Sequence, residues 1–220
     1  MEQLRNDAKR LAIINVVLPM VFTLVSTFSL GILCGNPMQM HLKAHTILLT
    51  FIGVPIFVLF FYFWMQLLAD LDRAYEGSDN MKCAVKMGRL ALVLKMFASA
   101  IGFVAALVAV CRSGVFNISV NSYEYGLILK GGTIEFICKS LIAASSPFTA
   151  IMYVLMFDMT ARKTDMRFLT LTLSVLSMLF ITAVVADTSK SPTLWGLLQL
   201  AVGVVEFLFL WKIYKGAEFK

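Results

Sequence analysis

Six times between residues 11 and 214 the chain runs apolar for about the length a helix needs to cross a bilayer, roughly 20 residues. The runs fall at about 11–33, 46–68, 90–110, 138–157, 166–186 and 194–214. Backbone in lipid has no water to bond, so such runs must be helical. Of the 220 residues 60% are apolar and only 15% charged, which argues against a water-soluble core. No loop is long enough to fold separately. The expected architecture is therefore all-α: one integral membrane domain over 1–220, a polytopic bundle of six transmembrane helices joined as antiparallel hairpins.

Lys and Arg set its orientation. Thirteen of the nineteen lie in the head, the second and fourth loops and the tail: Arg5, Lys9, Arg10, Arg73, Lys82, Lys86, Arg89, Arg162, Lys163, Arg167, Lys212, Lys215 and Lys220. The alternate loops hold four: Lys43, Arg112, Lys130 and Lys190. Both termini are then expected on the cytoplasmic side. The head MEQLRNDAKR resembles a signal-peptide n-region, but the apolar run behind it is too long, so it reads as a retained signal-anchor. The net charge of +6 reports orientation in such a chain. No basic patch interleaved with aromatics suggests nucleic acid as a partner.

On this topology Cys34 and Cys111 end the first and third spans on the far side and are a candidate disulfide. Asn117-Ile118-Ser119 is a candidate glycosylation sequon in the third loop. Both point to a eukaryotic secretory membrane, endoplasmic reticulum or plasma membrane. Met38, Met40, His41 and His45 gather beside Cys34 and are soft metal-ligand types. The plainer reading is interfacial Met and His, so no metal or other cofactor is expected.

The charges inside the spans are the informative ones. Glu206 lies six residues before Lys212, Lys95 six past Arg89, and Asn15 five past Arg10. Each is about 9 Å below the same membrane edge. Asn15, Lys95 and Glu206 thus share one layer of the inner leaflet. Three readings stand: an interior Lys95–Glu206 ion pair, a snorkelling Lys95 with a neutral Glu206, and a transport-active carboxylate.

Ala98, Gly102 and Ala106 form a small-residue face on the third span, and Gly196 and Gly203 one on the sixth. These two spans are expected to touch. Thr170, Ser174 and Ser177 make a polar stripe that should face protein. Pro19, Pro55 and Pro147 fall within spans, and Ser145, Ser146 and Thr149 are placed to cap the carbonyl that Pro147 frees. Residues 69–88 read as a cytoplasmic link with a short surface helix. Residues 123–137 read as a turn and interfacial segment before the fourth span.

No span carries histidine, and HExxH, GxSxG and Walker patterns are lacking, so an enzyme is not expected. Two functions follow as expectations. The first is a non-enzymatic scaffold, assembly factor or accessory subunit of a membrane complex, with lipid, other membrane proteins or its own copies as partners. The second is a small channel or transporter using Glu206, Lys95 and Asn15.

Overall fold

The computed structural model describes residues 2–32, 54–112, 133–160, 165–185 and 192–216. Among these residues all regular structure is helical: α1 (Glu2–Ile32), α2 (Val54–Ala74), α3 (Asp79–Arg112), α4 (Thr133–Met159), α5 (Asp165–Val185) and α6 (Pro192–Tyr214). Three stretches are long and apolar enough to cross a membrane: Val54–Ala74, Asp79–Val104 and Ser140–Met159. The described residues are thus all-helical and compatible with an integral membrane protein.

Each helix packs on its sequence neighbours, and α6 closes on α1. The result is a ring in chain order. Cross-contacts at each interface show that the neighbours run antiparallel. Arg10 lies over the Phe63 ring between α1 and α2, and Cys138 Sγ approaches the Ala98 carbonyl between α4 and α3. Arg167 covers Phe157 between α5 and α4, and Lys212 Nζ reaches Asp165 Oδ2 at 2.7 Å between α6 and α5. Lys9 stands over the Tyr214 ring, 5.4 Å from its centre, so the start of α1 and the end of α6 lie together. That end is called the closed end below.

The closed end holds a tightly buried apolar cluster. Leu4, Ala8 and Leu11 of α1 meet Leu67, Leu68 and Leu71 of α2, Met81, Ala84 and Val85 of α3, Met156 of α4, and Leu210 and Ile213 of α6. All are buried. In lipid, such interlocking is what holds helices together, because apolar tails give no solvent-driven attraction between them.

Several expectations change. The link at 69–88 shrinks to a turn at 75–78, because α2 continues to Ala74 and α3 starts at Asp79. Ser78 sets that start: its Oγ accepts from the Met81 N–H at 3.3 Å, an N-cap. Helix α4 begins at Thr133, so residues 133–137 belong to the helix and not to an interfacial turn. Pro55 is the second described residue of α2, and the residues before Val54 lie outside the described ones. Pro147 lies mid-helix in α4. The hydroxyls around it bond other carbonyls than the one it frees: Ser145 and Ser146 donate to Ile142 O, and Thr149 to Ser145 O. Thr170, Ser174 and Ser177 are buried, and Ser174 donates across to the Ala150 carbonyl of α4.

Among the described residues, α3 and α6 do not pack side by side as their small-residue faces led one to expect. Helix α3 lies between α2 and α4, and α6 between α5 and α1. Ala98 and Gly102 are buried, and Ala98 faces α4. At Gly203 an added Cβ would meet nothing within 4 Å, so close packing does not call for glycine there.

Candidate functional site: a polar cluster inside the ring

Four helices each bring one polar side chain to the layer next to the closed end. Asn15 sits one turn beyond Leu11 on α1, and Lys95 one turn beyond Leu92 on α3. On the oppositely running helices, Tyr153 precedes Met156 on α4 and Glu206 precedes Leu210 on α6. Antiparallel order turns these four positions into one level of the bundle.

Glu206 is the hub. Asn15 Nδ2 donates to Glu206 Oε2 at 3.2 Å and lies 3.5 Å from the Gly203 carbonyl. The Tyr153 hydroxyl also bonds the Glu206 side chain. Tyr153 is fully buried and is held by an edge-to-face contact with Phe209, centroids 5.6 Å apart. Lys95 acts on Glu206 through its charge. Among the described residues, no direct ion pair joins the two. Position in the ring explains this, because α3 and α6 are separated on both sides by other helices.

Asn15, Lys95 and Glu206 are therefore found in one cluster, with Tyr153 as a fourth member. Tyr153 had a signal in the sequence. It lies five residues before Asp158, the same depth from a flanking charge as the other three. A search confined to charges and amides passes over a phenol, which usually counts as apolar bulk.

Chemically, the cluster fixes one carboxyl between two donors from different helices and sets an ammonium across from it. Such a site can exchange a proton or hold a small charged group. Among the described residues no group of three or more His, Cys, Asp or Glu gathers as a metal site. Cys83 and Cys138 are free thiols. Cys34, Met38, Met40, His41, His45 and Asn117 lie outside the described residues, as do the side chains of Cys111 and Ala106 and the surroundings of Gly196.

Outside the apolar layer, the charges pair at the surface. Arg89 and Asp72 join α3 to α2 at 3.8 Å. The Lys212 ammonium, by hydrogen bond and by charge, holds the Asp165 carboxyl below the usual carboxylate range.

Comparison with protein-family models, curated proteins and solved structures finds no match for this chain.

Proposed function

We propose that this chain is a six-span integral membrane protein working as a small channel or transporter, with Glu206 as its central binding group. The observation that carries the reading is the double fixation of Glu206 by Asn15 and Tyr153 from two other helices. A carboxyl inside lipid is costly, and it is rarely held there by several helices unless it serves a path or a relay. The buried apolar layer at the closed end supports the reading further, since it separates Glu206 from that face as a shut gate would. On the Lys and Arg bias, the closed end faces the cytoplasm. The Asn117 sequon and the far-side Cys34 and Cys111 suggest a secretory-pathway membrane.

The scaffold or accessory-subunit reading draws on the outward apolar side chains, among them Phe97, Phe168 and Leu200. Lipid alone would cover these equally well, so they favour a protein partner no more than a bilayer.

Purified protein in liposomes, loaded with proton- and alkali-cation-sensitive dyes, decides between them. The proposal expects flux that is lost in Glu206→Gln while the variant still folds. Wild-type-like flux in that variant would overturn it. So would a flux-free wild type that co-purifies with a stoichiometric membrane partner, and the accessory-subunit reading would then stand.

A further inference from the structure

Two acids at the closed end lie outside the polar cluster. Asp7 on α1 and Asp70 on α2 are each only 5% exposed. Arg10 Nη1 bonds Asp7 Oδ1 at 3.3 Å, and Arg73 Nη1 bonds Asp70 Oδ1 at 3.4 Å. Both arginines belong to the acid's own helix, three residues on, and extend outward with side chains 62% and 71% exposed. Each covers one oxygen and leaves the interface side to other partners. Asp70 Oδ2 is buried and has no donor among the described residues.

What meets the Asp70 side chain from the next helix is another acid, Asp7, whose charge acts on it. Two ionised carboxylates have four acceptor oxygens and no donor between them, so they cannot bond one another. One proton resolves this by turning the contact into a charge-assisted O–H···O⁻ bond. Among the described residues, the charges acting on Asp70 are Asp7 and Arg73. The flanking helices bring apolar side chains to the same core: Met81, Ala84 and Val85 from α3, and Leu210 and Ile213 from α6. No lysine or arginine of theirs replaces the missing donor among the described residues.

We propose that Asp7 and Asp70 form a one-proton binding site, a carboxyl–carboxylate pair that pins α1 to α2. This inference stands on the α1–α2 interface and does not rest on the transport reading. When the proton leaves, two like charges remain in a buried contact beside Leu4, Leu67 and Leu71. A fold that holds an extra proton is stabilised below the pH of its release and loses that contribution as pH rises.

The test uses the full chain in detergent micelles or nanodiscs, melted at a series of pH values from the ordinary carboxyl range upward. The wild type should lose melting temperature relative to Asp70→Asn as pH rises, because in the variant the carboxamide N–H donates to Asp7 at every pH. Asp70→Ala, with no donor, should be less stable than Asp70→Asn throughout. Infrared spectra at the acid end of that series should show a protonated-acid carbonyl band in the wild type that is weaker in Asp70→Asn. Should Asp70→Asn fail to fold, Asp7→Asn gives the same comparison from the other side. A pH slope unchanged by either substitution overturns the proposal, and so does a carbonyl band equal in wild type and variant. Added magnesium or calcium that raises the melting temperature of the wild type alone, with no acid band, also overturns it and makes the pair a cation site.

Discussion

At the scale of single residues, the polar cluster was partly legible from counting. Asn15, Lys95 and Glu206 stand at similar depth from flanking charges, and the antiparallel ring turns equal depth into contact between Asn15 and Glu206. Counting could not say that Lys95 would lie across from Glu206 without an ion pair, since depth fixes level and not azimuth. Tyr153 and the Asp7–Asp70 contact escaped for another reason. A phenol passes for apolar bulk, and acids within charged stretches pass for solvated surface. Replacing Tyr153 by Phe keeps the ring on Phe209 and removes one donor from Glu206. The expected stability loss is about 0.6 kcal/mol, the usual size of a hydrogen bond within a membrane bundle. Chemical unfolding in mixed micelles measures it, and a loss of several times that size would mean the ring itself had moved.

At the scale of elements, the described parts of α5 and α6 lie along their apolar runs. Helix α3 starts well before its run, because Ser78 caps it and the polar turns beyond the membrane edge remain helical. Small residues spaced by four pointed to Ala98 and Gly102. They missed Gly88, which lies between Lys86 and Arg89 in a stretch that reads as a loop. There an added Cβ would stand 2.6 Å from Met152 Sδ and 3.1 Å from both Leu68 methyl groups. Gly88→Ala should therefore cost about 1–3 kcal/mol by overpacking, with partial recovery when Met152 is also cut back to Ala. Gly203→Ala should go the other way, neutral or up to about 1 kcal/mol stabilising from helix propensity. Melting curves of the three variants test the contrast. The Lys212–Asp165 pair between α5 and α6 carries a pH signature of its own. Lys212 depresses the Asp165 carboxyl, so the contribution is present above the ordinary carboxyl range and is lost as acid protonates Asp165. Asp165→Asn should flatten the acid limb of a stability–pH curve in low salt and change little in high salt, where exposed charges are screened.

At the scale of the whole molecule, the antiparallel order of the described helices brings the start of α1 and the end of α6 to one face. The orientation we propose from the Lys and Arg bias puts that face in the cytoplasm. Half-buried Cys83, in the first turns of α3, belongs to the same end and provides a native reporter. In sealed vesicles, a membrane-impermeant thiol reagent should reach Cys83 only from the cytoplasmic side, and tags on either terminus should be cleaved from that side alone. Tags cleaved from opposite sides would contradict the even crossing number. Ring closure in chain order has a further outcome for how the polypeptide can be cut. Since its first and last helices already touch, the backbone order is a circle with one gap. A short linker bridging Gly216 to Glu2, with new ends opened at the exposed Glu76–Gly77 turn, should yield a circular permutant that assembles the same six neighbours.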